Sequence, residues 1–84
     1  MYSVEIVAAA KKEVRALDGS IRRRVLAAFH ALEENPRPHG CKKLVDVQDC
    51  WRVRIGDYRV IYSINDERHS ITILGVRHRS HAYD

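Results

Sequence analysis

The sequence predicts an α+β fold, with a four-stranded, mostly antiparallel sheet and two N-terminal helices packed on one face, in the order β-α-α-β-β-β. Three observations predict this fold: an alternating β-rich segment at the start, two segments with helical apolar spacing, and three further β-rich segments. The 84 residues are expected to form one domain, residues 1–84. A chain of this length does not supply a second layer, so the other sheet face should be open to solvent.

The first half of the chain is predicted to hold one strand and two helices. Residues 2–7 alternate and are interpreted as the first strand. Ala10, Val14 and Leu17 form the apolar stripe of the first helix. Gly19 is expected as its left-handed end and Ser20 as the N-cap of the second helix, which should end near residue 35 before a proline. The stripe of the second helix is Ile21, Val25, Ala28, Phe29 and Leu32.

Two basic segments accompany these elements. The arginines at 22–24 fall mostly off the apolar stripe, which indicates a solvated helix face or a second nucleic-acid contact. Residues 36–43 hold two prolines and a glycine and are predicted to form a loop, in which Lys42 and Lys43 are candidate RNA-binding residues. Leu44, Val45 and Val47 are expected to form a short strand or an anchor after this loop.

The segment from 50 to 64, CWRVRIGDYRVIYSI, is predicted to be a hairpin with Gly56 and Asp57 at its turn. A two-residue turn sets Arg54 opposite Arg59 and Val53 opposite Val60. One face should then suit a core, with Trp51, Val53, Ile55, Val60 and Tyr62. The other face carries Arg52, Arg54 and Arg59. Like charges facing each other across strands are unfavourable, so this face is interpreted as a binding surface for an anion, with a solvated face as the alternative.

The last predicted strand, residues 70–76, follows a turn at residues 65–69. A three-residue loop would set Arg59 opposite Gly75, and a five-residue loop would set it opposite Arg77. Both loop lengths give the same alternation and place Arg77 on the arginine side of the sheet, where Gly75 would leave room. The same parity places Ile71 and Ile73 on that side, as an apolar floor or under the C-terminal tail.

Composition indicates a basic protein with an anionic partner. The net charge is +4, and arginine far outnumbers lysine, which favours bidentate contacts to phosphate. Nucleic acid and an acidic protein are both compatible with this charge. Cys41 and Cys50 are expected to be reduced, and the histidines and cysteines show no metal-ligand spacing. No signal peptide or membrane span is apparent, so a cytoplasmic protein without cofactor or metal and without membrane contact is expected.

Two motifs carry a resemblance to a known family. The segment DCWRVRIGDYRVIYSI contains G-x-Y-R followed by two apolar residues and Tyr, and ITILGVRHRSHAYD ends in R-x-R-x-x-x-Y. Together with the length and the element order, they resemble the RelE-type toxins of the RelE/ParE superfamily over nearly the whole chain. The resemblance implies a toxin that cleaves mRNA in the ribosomal (30S) A site. It also implies a cognate antitoxin as partner, with binding of the pair to operator DNA left open.

The resemblance also implies the site residues. The basic positions before the G-x-Y-R motif match Arg52 and Arg54, where relatives often carry Lys. The motif arginine matches Arg59, the basic residue ending the last strand matches Arg77, and the late tyrosine matches Tyr83. Cleavage without metal uses the 2′-OH as nucleophile and needs a base, an acid and positive charge on the phosphorane.

The base is left open between two residues. Tyr83 can act as the general base only if nearby cations lower its pKa. The alternative role for Tyr83 is stacking on an RNA base. His81 has an ordinary pKa near ~6.5 and is the alternative, whereas arginine is a poor base. His78 and Arg79 are further candidates for RNA contact, or are simply solvated tail residues. The competing functions are a ParE-like inhibitor that binds DNA gyrase without catalysis and a catalytically silent nucleic-acid-binding module.

Overall fold

The computed structural model describes residues 1–81, which form two helices and a five-stranded mixed sheet. The elements are β1 (Ser3–Ile6), α1 (Ala8–Arg15), α2 (Gly19–Glu34), β2 (Lys42–Lys43), β3 (Cys50–Ile55), β4 (Tyr58–Asn65), β5 (Ser70–His78) and a 3-10 turn (Arg79–His81). The strand order is β1-β5-β4-β3-β2, with β1 parallel to β5 and the other pairs antiparallel. Within residues 1–81, neither helix has the length and apolarity needed to cross a membrane.

The prediction of four strands was wrong by one short strand. Within residues 1–81 the sheet has five strands, because Lys42 and Lys43 pair with Arg52 and Trp51 as β2. The predicted anchor does not form a strand, and Val45 in it is 96% exposed. A strand of two lysines has no apolar alternation, so it carries no period-2 signal in the sequence.

The junction between the helices also differs from the prediction. Gly19 is the first residue of α2, and the N-cap is Asp18 rather than Ser20. The C-terminal carbonyls of α1 are instead bound by Arg22, whose Nη2 donates to the Leu17 carbonyl at 2.6 Å and whose Nε donates to the Val14 carbonyl at 3.4 Å. A side chain that satisfies these carbonyls makes a left-handed glycine unnecessary. Arg22 is therefore a structural residue of the helix pair.

The core lies between the helices and one face of the sheet, as predicted. The apolar stripes of both helices are confirmed, with Val14, Val25 and Phe29 buried. Tyr62 is fully buried in the sheet, whereas Trp51, predicted to be a core residue, is only partly buried. The other buried sheet residues of the core cluster are Val60, Ile64, Ile71, Ile73 and Val76.

The hairpin register is confirmed pair by pair, including Arg54 opposite Arg59 and Ile55 opposite Tyr58. Gly56 has a φ of +60°, and Asp57 is not among the residues with positive φ. This pattern fits a type II′ turn, which matches the twist of the two strands. The turn therefore fixes the register that gathers the arginines on one face.

The loop between β4 and β5 overturns the prediction that Ile71 and Ile73 lie on the arginine side, and a β-bulge in β5 returns Arg77 to that side. Asn65 pairs with Ser70, so the loop has four residues rather than three or five. That register sets Ile73 opposite Tyr62 on the core face, where Ile73 is fully buried. The register then shifts between Ile61 and Tyr62, and Arg77 comes to lie opposite Arg59. One extra residue reverses the alternation, so Ile71 and Ile73 face the core before the bulge, whereas after it Val76 faces the core and Arg77 the open face.

The phenol of Tyr62 joins the sheet to the loop after α2. Its hydroxyl donates a hydrogen bond of 2.8 Å to the Pro36 carbonyl. Burial raises the pKa of Tyr62 well above its ordinary value. In the unfolded chain a tyrosine ionises near pH ~10, whereas the folded protein keeps this proton. As pH rises, loss of the phenol proton therefore stabilises the unfolded state before it can occur in the folded state. The contribution of Tyr62 to the free energy of unfolding is complete below pH ~10 and declines above it.

Tyr62→Phe is expected to remove this alkaline sensitivity. At about pH 8 the variant should be less stable by roughly 1–2 kcal/mol, because the Pro36 carbonyl loses its donor. At about pH 11 the difference should shrink, because only the wild type has a tyrosine to ionise at this position. Urea unfolding of both proteins at the two pH values measures this difference. A difference that does not change with pH would contradict the role assigned to burial.

Candidate functional site: a row of arginines on the open sheet face

The open face of the sheet carries three arginines in one row across three strands. Arg54 of β3 pairs with Arg59 of β4, and Arg59 pairs with Arg77 of β5. Side chains at directly opposed positions start about 4.5–5.5 Å apart, so the three arginine side chains begin side by side. Such a row costs folding energy unless carboxylates or a bound anion offset the charge. We call Arg54, Arg59 and Arg77 the arginine row.

A groove of about 200 Å³ is lined in part by two arginines of this row, and four of the five residues that line it are basic. The residues lining it are Gly40, Lys42, Arg52, Arg54 and Arg59, with no aspartate or glutamate among these described residues. Lys42 reaches the groove because it pairs with Arg52 through β2. We call this cleft the basic groove. It joins four of the predicted site residues and thereby supports the prediction of an anion-binding face.

Arg54 and Arg77 of the row make specific contacts with other parts of the chain. Arg54 Nε donates to the Gly56 carbonyl at 3.0 Å, which folds its side chain over the hairpin turn. Arg77 forms an ion pair with Glu13 of α1, with 3.4 Å between Nε and Oε2. Gly75 leaves the room for this arrangement, since a Cβ there would lie 3.3 Å from Arg77 Nε. Glu13 was missed in the sequence, because it lies on a different element and shows no local pattern.

Three predicted site residues lie away from the basic groove. Lys43 pairs with Trp51, so strand alternation places it on the opposite face from Lys42. His78 pairs with Tyr58, and the two rings meet edge to face at 5.2 Å between centroids. Arg79 is exposed after the end of β5, and its backbone N–H donates to the Asp57 carbonyl at 2.8 Å.

The remaining predicted site residues lie at and after the end of β5. His78 Nδ1 lies 2.9 Å from Ser80 Oγ and accepts a hydrogen bond from the Ser80 N–H at 3.3 Å. Tyr83, one of the two candidate bases, lies outside the described residues. His81 ends the 3-10 turn, with only its backbone described.

A second cluster fixes the loop that leads to the basic groove. Arg37 binds Asp66 through both Nη atoms, at 2.9 and 3.3 Å, and its guanidinium lies over the ring of Trp51 at 5.0 Å. Tyr2 donates to the same carboxylate at 2.7 Å. The hydrogen bond from Arg37 holds the pKa of Asp66 below its ordinary value. This cluster ties the loop before Gly40 to the sheet and so helps to fix one wall of the groove.

The chemistry available in this part of the chain is charge stabilisation of an anion. Guanidinium groups donate in a planar fork that matches phosphate oxygens. Residues 1–81 contain no group of three or more His, Cys, Asp or Glu residues placed to hold a metal ion, and Cys41 and Cys50 are free thiols. The arginine row and the basic groove therefore suit a phosphodiester, with proton transfer assigned to another group.

Comparison with known proteins gives the same family from sequence and from structure. Residues 4–83 match the family described as "ParE toxin of type II toxin-antitoxin system, parDE". Toxin RelE of Mycobacterium tuberculosis is 32% identical over 98% of this chain and 86% of the relative.

The fold agrees with solved toxin structures. The archaeal RelE–RelB complex from Pyrococcus horikoshii contains a chain that superposes with a TM-score of 0.85 at 36% identity, covering 96% of this chain and 98% of that chain. The isolated E. coli RelE toxin gives a TM-score of 0.81 at 25% identity, covering 93% of this chain and 84% of that chain. The chain therefore belongs to the RelE/ParE superfamily and is a RelE-type toxin of a type II toxin–antitoxin system.

Proposed function

We propose that this toxin is a ribosome-dependent endoribonuclease that cleaves mRNA in the ribosomal A site and so inhibits translation in the cytoplasm. The observation that carries the proposal is the arginine row beside the basic groove, on an open face of the sheet. A phosphorane with excess negative charge is stabilised by cations fixed before the reaction. The similarity to RelE toxins supports the same activity.

The basic residues of the open face are assigned two different roles in this proposal. Arg59 and Arg77 are directly opposed on β4 and β5. In this proposal they hold the scissile phosphate and stabilise the charge that develops on it. Lys42, Arg52 and Arg54 line the groove beside them and would bind the neighbouring RNA backbone. The 2′-OH gives its proton to a base and attacks the adjacent phosphorus, which forms a 2′,3′-cyclic phosphate. The bond from phosphorus to the 5′-oxygen breaks, and this oxygen leaves with a proton from an acid. No cofactor or metal is invoked.

Proton transfer is assigned to the C-terminal residues. Arginine hardly deprotonates, so the row itself does not supply a base. Tyr83 is the first candidate, because a cluster of cations lowers the pKa of a nearby phenol. His81 is the second, with an ordinary pKa near ~6.5. A pH–rate profile distinguishes them: loss of an inflection near pH ~6.5 in His81→Ala identifies the histidine, whereas loss of an alkaline inflection in Tyr83→Phe identifies the tyrosine.

A cognate antitoxin is the expected protein partner. The P. horikoshii relative was solved as a RelE–RelB complex, and a further structural neighbour from M. tuberculosis was solved as the toxin–antitoxin complex RelBE2. The net charge of +4 favours an antitoxin segment with acidic residues, which would neutralise the basic groove. Binding of the complex to its operator DNA remains a further prediction.

Inhibition of DNA gyrase is the second candidate function, because the matching family is described by the ParE toxin. A gyrase inhibitor that acts by protein contact does not need opposed arginines on an open face. The arginine row and the RelE relatives therefore favour the nuclease.

Induction in bacteria separates the two functions. The toxin is expressed from a tightly repressed promoter, and mRNA 5′ ends are mapped by primer extension within minutes, with Arg59→Ala as the matched variant. New ends inside translated codons, absent in the variant, are expected for the nuclease. Growth arrest with gyrase-dependent DNA breaks and unchanged mRNA would instead identify a gyrase inhibitor.

A further inference from the structure

Glu13 links α1 to the strand that carries Arg77. Its Oε1 accepts a hydrogen bond of 2.8 Å from the backbone N–H of Val76, and its Oε2 lies 3.4 Å from Arg77 Nε. The carboxylate is partly buried, with its side chain 33% exposed. A single carboxylate thus contacts both the backbone and the side chain at the end of β5.

The backbone contact fixes where this carboxylate lies. The parallel pairing of β1 with β5 ends at Ile6 and Ile73, followed by one hydrogen bond from the Val7 N–H to the Ile73 carbonyl at 3.1 Å. Beyond that point the outer edge of β5 has no strand beside it in the described part of the chain, and Glu13 satisfies the N–H of Val76 there. An edge N–H that binds a carboxylate holds it in one place.

The neighbouring glycine directs Arg77 toward that carboxylate. Gly75 is buried, and a Cβ on it would lie 3.3 Å from Arg77 Nε and 3.4 Å from Glu13 Oε1. The guanidinium therefore occupies the space that a side chain at position 75 would take. Its hydrogen bond to Glu13 uses Nε, which leaves the two Nη groups to bind an anion.

We propose that Glu13 is a positioning residue for Arg77, a role that rests on the nuclease function proposed above. By holding Nε, Glu13 orients the guanidinium so that its two Nη groups face the phosphate at the arginine row. It also offsets the repulsion between Arg77 and Arg59, which are directly opposed. Glu13 does not touch the RNA in this role.

NMR of the arginine side chains tests the contact without reference to catalysis. In ¹⁵N-labelled toxin the Arg77 Nε–Hε signal, assigned by its loss in Arg77→Lys, is expected to exchange slowly with solvent. Glu13→Ala should make this exchange at least about tenfold faster, because the acceptor is gone. Equal exchange rates in the wild type and in Glu13→Ala would overturn the proposed contact.

Single-turnover cleavage of ribosome-bound mRNA tests the consequence. Glu13→Ala is expected to slow cleavage by about 10-fold to 100-fold with little change in ribosome affinity, since a misplaced group is costly at the reacting centre. In the Arg77→Ala background the same substitution should have almost no further effect. An equal loss in both backgrounds would show that Glu13 acts on the fold alone and would overturn the proposal.

Two further variants control the cleavage experiment for effects on folding and on net charge. Glu13→Gln keeps an oxygen for the Val76 N–H but loses the charge, and it is expected to melt like the wild type while cleaving several-fold more slowly. If Glu13→Ala does not fold, Glu13→Gln is compared in the wild-type and Arg77→Ala backgrounds instead. Glu34→Ala changes net charge equally at the exposed end of α2 and should cleave at the wild-type rate. If the wild type does not cleave at all, the nuclease function fails, and NMR alone decides whether Glu13 holds Arg77.

Discussion

Arg77→Ala is expected to lower the rate of ribosome-dependent mRNA cleavage by about 100-fold to 1,000-fold, the usual loss when one fixed donor is removed from a developing oxyanion. Arg77 lies opposite Arg59 at the end of β5, and its side chain is 49% exposed. An exposed side chain contributes little to the core, so the variant should fold. Single-turnover cleavage on programmed ribosomes, with circular dichroism beside it, measures both properties.

Arg68→Ala is the matched control for this prediction. Arg68 is an exposed arginine in the turn between β4 and β5, at the far end of β4 from Arg59. Both variants lose one positive charge, so a general electrostatic effect on ribosome binding should appear equally in the two. Equal activity of Arg77→Ala and Arg68→Ala would contradict the role of the arginine row. A lost folded signal in Arg77→Ala would make Arg77 a structural residue instead.

Tyr62→Ala is expected to produce the largest loss of stability, about 3–5 kcal/mol, because a fully buried aromatic side chain is replaced by a cavity. The substitution also removes the donor to the Pro36 carbonyl. A domain of this kind has a total stability of only about 5–15 kcal/mol, so the variant should be close to unfolding at growth temperature. Urea denaturation of the purified toxin measures the change.

Trp51→Ala provides the comparison, since Trp51 is opposite Tyr62 on the neighbouring strand but is only partly buried. Its loss should cost less than about 3 kcal/mol, because less apolar area returns to water. Part of that cost comes from the lost contact with the Arg37 guanidinium. A larger loss for Trp51→Ala than for Tyr62→Ala would contradict the burial of the two rings in the structure.

Local patterns in the sequence predict the hairpin and its arginine face correctly. A glycine-containing two-residue turn fixes strand register, and the period of two then fixes which side chains share a face. These two rules suffice to place Arg54 opposite Arg59. Arg77 also lies opposite Arg59, on the predicted face, but only because the bulge offsets a four-residue loop that the sequence did not predict. The helix stripes are predictable for the same reason, because apolar spacing of about 3.6 residues indicates the buried face.

Features that depend on distant residues could not be predicted in this way. The bulge in β5 arises because Ile71 and Ile73 must face the core while Arg77 faces solvent, and no local residue pattern marks the extra residue. Lys42 enters the groove only because β2 pairs with β3, and Glu13 reaches Arg77 from a helix more than sixty positions earlier. The catalytic assignment of Tyr83 remains a prediction from the family motif, and that of His81 remains a prediction from the acid–base chemistry of histidine.

The most direct test is cleavage of a defined mRNA on purified ribosomes, with one nucleotide of the A-site codon carrying either a 2′-hydroxyl or a 2′-deoxy sugar. The toxin is expected to cut the ribose-containing mRNA after that nucleotide, to leave a 2′,3′-cyclic phosphate, and to leave the deoxy-substituted mRNA intact at that position. Cleavage of both mRNAs at the same position would contradict attack by the 2′-OH. No cleavage of either, together with inhibition of purified DNA gyrase, would contradict the nuclease itself.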